Sequence, residues 1–101
     1  MTNNHDPYEL LVEALGSNNV YFQPPESVKM SYPAIVYSRN DIGNSFANNN
    51  VYAQNHSYEV VVIDRAARSK IVDAVSKLPK CRYVRNYKAD NLNHDVFILY
   101  Y

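Results

Sequence analysis

The period of the apolar positions changes several times along this chain, and each change marks an element. Tyr8, Leu11, Val12 and Leu15 recur at the i, i+3, i+4, i+7 spacing of a helix with one apolar face. Ahead of them, Asp6-Pro7-Tyr8-Glu9 offers a capping acid, a proline at the first helical position and a glutamate three residues after the cap, while Gly16 supplies a left-handed stop. Val20-Tyr21-Phe22-Gln23 reads as a short strand that ends at Pro24-Pro25, because proline cannot donate to a ladder. Tyr32-Pro33 biases the backbone to extended geometry, and Ala34-Ile35-Val36-Tyr37-Ser38 follows as a buried strand, apolar on both faces. Residues 39–50 are polar and rich in turn formers apart from Ile42 and Phe46, which predicts a loop at the tip of a hairpin. Residues 51–63 hold a long strand, with a bulge expected around Asn55-His56 and a buried part in Tyr58-Glu59-Val60-Val61-Val62-Ile63.

From Arg65 the helical period returns. Ile71, Val72, Val75 and Leu78 form one stripe that ends before Pro79, with Arg68, Ser69, Asp73, Ser76 and Lys77 on the other side and Asp64 as the expected cap. Residues 82–87 alternate as a half-exposed strand, and residues 88–94 read as a polar connection. In the last segment Val96, Ile98 and Tyr100 line one side of a strand while Phe97, Leu99 and Tyr101 line the other, and neither side is suited to water. The pattern predicts a single α+β domain in the order α-β-β-β-α-β-β, a mixed and mostly antiparallel sheet of about four to five strands with its helices packed against it. A pair of single-striped helices covers about one face of such a sheet, yet several strands are apolar on both. Either the helices split between the faces, or a second copy of the chain covers the remainder.

Composition sharpens the second option. The chain has 101 residues, room for one domain, with ten Tyr, no Trp and only two Gly. Tyrosine combines contact area with a polar tip and suits half-wet interfaces, so a covering second copy is favoured, although a genome biased toward Tyr and Asn codons gives the same composition. Asparagine, abundant here, takes left-handed turn positions that glycine would otherwise hold. Ten basic residues balance ten acidic ones, so there is no global positive field to gather nucleic acid. The lone Cys81 excludes an intramolecular disulfide and fits a reducing compartment, with the cytoplasm as the default expectation. The opening residues carry neither a basic n-region nor an apolar h-region, and no apolar run approaches the about 20 residues of a membrane span. Signal-peptide export and membrane residence are therefore not expected.

Candidate chemistry is sparse. His5, His56 and His94 have no ligand-like spacing to Cys81 or to one another, so no metal site is expected. His94 beside Asp95 could form an acid–base pair, but capping or solvating a hairpin is the simpler role. Asp64-Arg65 follows an apolar strand, where nucleases often place metal-binding carboxylates, but no second carboxylate cluster accompanies it. Gly16 and Gly43 alone cannot build a phosphate loop, and there is no nucleophile elbow. The chain is expected to be no enzyme and to carry no catalytic, cofactor-binding or metal-binding residues. Arg82, Arg85 and Lys88, with Lys80 just before, interleave with Tyr83 and Tyr87 in a pattern that can stack bases and touch phosphates, although a solvated strand face is the commoner cause. Those three cations are the candidates to face DNA.

Val20-Tyr21-Phe22-Gln23-Pro24-Pro25 with Tyr32-Pro33-Ala34-Ile35-Val36-Tyr37, then Tyr58-Glu59-Val60-Val61-Val62-Ile63-Asp64-Arg65, then Tyr87-Lys88-Ala89-Asp90-Asn91-Leu92-Asn93-His94-Asp95-Val96-Phe97 resemble a family of small tailed-bacteriophage proteins. These are called tail terminator, tail completion or head-to-tail joining proteins, and the element order is compatible with the lambda-type terminator fold. The resemblance implies a homo-hexameric ring in the tail or neck of the virion, assembled in the host cytoplasm. Such a ring caps the tail-tube protein, stops its polymerisation and presents a surface to head–tail connector or neck proteins, with passive contact to phage DNA in the lumen. A neck adaptor that joins head and tail is the alternative within the virion, and a small nucleic-acid-binding α/β module is the alternative from another class. The family offers no short motif to transfer, so contact residues are chosen from this sequence. They are Arg39, Asp41, Ile42, Phe46 and Tyr52 around the expected hairpin tip, and Tyr87, Lys88, Asp90 and Leu92 around the later connection. Ile42, Phe46 and Leu92 are apolar residues in polar surroundings, which contact with a neighbour explains as well as folding back does.

Overall fold

A computed structural model describes residues 6–25, 27–45, 50–66 and 69–101, with the backbone alone described at 41–45 and 50–56. The elements are α1 (Tyr8–Leu15), β1 (Val20–Phe22), β2 (Ala34–Ser45), β3 (Asn50–Asp64), α2 (Lys70–Ser76), β4 (Cys81–Ala89) and β5 (Leu92–Tyr100). They build an α+β fold in the expected order, around a five-stranded sheet of strand order β1-β2-β3-β5-β4. β1 runs parallel to β2, and every other neighbouring pair is antiparallel. The strands that read as apolar on both faces take the middle of the sheet.

Both helices lie on one face. Leu11 and Leu15 of α1 and Val75 of α2 share a single buried cluster with Ile35, Tyr37, Tyr58, Val60, Val62, Phe97 and Leu99, and α1 also touches α2 directly. Each of the larger apolar side chains buried there contributes about 1.5–3 kcal/mol relative to exposure. The option in which the helices split between the faces is thereby excluded. Gly16 closes α1 at φ 84°, its N–H donating to the Val12 carbonyl at 2.8 Å. α2 starts at Ser69, whose Oγ accepts from the N–H groups of Ile71 and Val72 at 3.0 and 3.3 Å. Asp64 is not the cap: its Oδ1 accepts from the Ala66 N–H at 3.2 Å, a local turn that ends before the helix begins.

Three expectations about strands need correction. Residues 39–45 are not loop but the continuation of β2, because β3 offers them a ladder: Asp41, Ile42 and Gly43 pair with Ser57, His56 and Asn55. The register shift lies between Arg39 and Asp41, where Asn40 is the extra residue, and a second shift falls between Gly43 and Ser45, so Asn55-His56 is regularly paired. Residues 88–94 are not a connection either. β4 and β5 run on to Ala89 and Leu92, joined only by Asp90 and Asn91, both at positive φ (53° and 62°). Aspartate and asparagine tolerate that conformation, and it is the twist a tight hairpin needs.

The sheet is tied to α1 through Tyr37, whose hydroxyl donates to Asp6 Oδ1 at 2.6 Å, an oxygen that also accepts the Tyr8 N–H at 3.0 Å. Burial first, then the Asp6 bond and charge, push the Tyr37 phenol far above its ordinary value, and burial likewise raises Tyr58. A raised phenol holds stability that is complete below the unfolded value, roughly pH 10, and is lost as pH climbs through the folded one. The thermal midpoint should therefore fall steeply above roughly pH 10. Tyr37→Phe should cost about 1–2 kcal/mol at neutral pH through the lost bond to a carboxylate, and should flatten that alkaline fall. Circular dichroism melts across the alkaline range check this, and parallel profiles for the two proteins would contradict it.

Candidate functional site: the uncovered sheet face and its edge strand

Residues directly opposite in neighbouring strands share a face. Val36 pairs with Val61, Val61 with Val96, Val96 with Arg85, Ile98 with Arg82, and His94 with Tyr87, which places all of these on the side away from the helices. The chain between β1 and β2 crosses one end of this side. Pro25, Val28 and Met30 line a groove of about 540 Å³ together with Val36, Val61 and His94. Ala34, Ile63 and Val96 are buried, whereas Val36, Val61 and Ile98 are half-buried. Tyr87 and Tyr100 are 41% and 43% exposed. An apolar floor edged by exposed tyrosines is thus left without a helix over it among the described residues.

β4 is one of the two edge strands, and it carries Arg82, Arg85 and Lys88. Arg82 and Arg85 are an odd number of positions apart and in a regular strand would face opposite ways. Val84 is an extra residue between the Tyr83–Phe97 and Arg85–Val96 pairs, so both arginines reach the open face. Tyr87 stacks on His94 with centroids 4.7 Å apart and planes 13° apart, and the Arg85 guanidinium lies 5.6 Å from the Tyr87 centroid. Tyr83 points the other way. Its ring meets Phe97 edge-on at 5.3 Å and its hydroxyl donates to Asp95 Oδ1 at 3.1 Å. Lys88 pairs with Asn93, on the helix side. The interleaved run therefore divides: Arg82, Arg85 and Tyr87 on one face, Tyr83 and Lys88 on the other, and no two-tyrosine platform forms.

The other contact candidates fall at opposite ends of the sheet. β5 pairs with β3 only from Ser57 to Asp64, so residues 50–56 of β3 and 41–45 of β2 form a two-stranded arm beyond the end of β5. Arg39 sits at the root of this arm, exposed, its N–H donating to Gln23 Oε1 at 3.1 Å. Asp41, Ile42 and Tyr52 belong to the arm by backbone, and Phe46 lies outside the described residues. Lys88, Asp90 and Leu92 cluster at the β4–β5 turn, beside the Asp64 end of β3.

His94 and Asp95 do not pair as acid and base, because adjacent strand residues face opposite ways and His94 Nδ1 lies 3.1 Å from the Leu92 carbonyl. Among the described residues, no group of three or more His, Cys, Asp or Glu is placed to hold a metal ion. Burial pushes the Cys81 thiol above its ordinary value. Asp95, considered from the sequence only as a partner for His94 and as the start of a strand, has a different role. It is 5% exposed and accepts from Tyr83 and from Asn86 Nδ2, the latter at 3.0 Å. A charged residue opening an apolar run, facing tyrosine and asparagine across a hairpin, was the signal for it. No family model matches the chain, and no curated protein sequence matches it.

Proposed function

We propose that this chain is a structural assembly protein of a tailed phage, a tail terminator that forms a ring on the tail tube, stops its growth and offers a surface for head attachment. The observation that carries the reading is the uncovered face: an apolar floor of Val36, Val61 and Ile98 edged by Tyr87 and Tyr100, which a second copy can cover. The segment resemblance and the α-β-β-β-α-β-β order support the family. The β2–β3 arm and the β4–β5 turn lie at opposite ends of the sheet, an arrangement suited to binding tube on one side and neck on the other. A nucleic-acid module is less well supported, since Tyr83 and Tyr87 face opposite ways.

Electron microscopy of the producing phage with this gene interrupted tests the reading. Tails of abnormal length beside intact, full heads are expected. Normal-length free tails would contradict termination and favour a neck adaptor that joins head to tail.

A further inference from the structure

On the helix side of the same edge strand, α2 leaves a groove of about 540 Å³ whose polar lining includes Ser69, Lys70, Asp73, Tyr83, Asn86 and Asp95. Asp95 is 95% buried by its 5% exposure, yet both its hydrogen bonds end on Oδ1. Among the described residues no buried side-chain oxygen lacks a partner, so Oδ2, which takes no hydrogen bond there, keeps some exposure, and Asp95 lines the groove. A carboxyl group with neutral donors on one oxygen and a second oxygen accessible from outside can take a further donor, and a guanidinium matches it best. Across the strand, Arg82 and Arg85 stand exposed on the open face, brought to one side by the extra Val84, and neither forms an ion pair among the described residues.

We infer that the groove of one copy receives the arginine pair of the next, with Arg85 and Arg82 meeting Asp95 and Asp73. This rests on the ring reading and names the surface that covers the open face: the α2 side of a neighbouring copy. Donor and acceptor patches lie on opposite faces of one edge strand, so the contact is head to tail, the kind that closes into a ring when its rotation allows. Glu59 on the open face and Lys70 at the groove are the charges of opposite sense that this docking must keep away from their like.

Full-length variants broken on one side each provide the test. Arg82→Glu with Arg85→Glu removes the basic patch. Asp73→Asn with Asp95→Asn removes the acidic charge while leaving an amide oxygen to accept from Tyr83 and Asn86. At a concentration that half-assembles the unmodified protein, each variant alone is expected to sediment as monomer, its dissociation constant raised about tenfold or more. An equimolar mixture is expected to give dimers and nothing larger, because each variant keeps only one working patch. Arg82→Gln with Arg85→Gln, confined to exposed side chains, repeats the basic-side test in case glutamates disturb β4. Rings formed by either variant alone would overturn this inference and leave the ring reading standing, whereas an unmodified protein that stays monomeric would overturn both.

Discussion

Phe97→Ala is expected to remove about 3–5 kcal/mol of folding stability, a large part of what a domain of this size holds. Phe97 is fully buried in β5, opposite Val60 of β3 and Tyr83 of β4, and belongs to the cluster that joins both helices to the sheet. Emptying such a site costs about 3–5 kcal/mol, lost transfer energy plus the cavity that rigid neighbours leave behind. A domain of this size holds only about 5–15 kcal/mol in all. The Tyr83 ring loses the edge it packs on at 5.3 Å, which also loosens its bond to Asp95. Urea unfolding followed by circular dichroism measures the loss, and a change below about 1 kcal/mol would contradict this placement.

Tyr87→Glu combined with Tyr100→Glu is expected to abolish self-association while sparing the fold. Both side chains are more than two fifths exposed, at 41% and 43%, so each change should cost the monomer no more than about 1 kcal/mol, mainly the stacking of Tyr87 on His94. In a contact that covers the open face, the same changes remove the aromatic edge and bury carboxylates against apolar surface. Thermal melts should nearly match those of the unmodified protein, and sedimentation should show monomer alone. A folded double variant that still assembles would place the contact elsewhere.

The helices and the middle strands were legible because burial imposes a period. Leu11 and Leu15, or Val60 and Val62, must face the core, and nothing else explains their spacing. The arm was legible in one strand only: residues 51–56 read as part of the long strand, whereas residues 41–45, polar apart from Ile42, read as loop and take their strand geometry from pairing with β3. The β4–β5 hairpin was hidden for a related reason: Lys88, Asn91 and Asn93 read as loop by polarity, while an edge strand tolerates polarity and a tight turn wants asparagine. The arrangement of the edge strand depended on a single extra residue. Val84 decides that Arg82 and Arg85 share a face, and no local pattern announces a bulge there. The open face itself was foreseen from the mismatch between two apolar stripes and strands apolar on both sides, and both helices do pack on one face.

The mass of the purified chain in solution, followed by sedimentation velocity over a wide concentration range and imaged by negative-stain electron microscopy, tests the central claim most directly. Closed rings that dissociate to monomer on dilution are the predicted result. A chain that remains monomeric at the highest concentrations, with Tyr87 and Tyr100 still open to solvent, would contradict it.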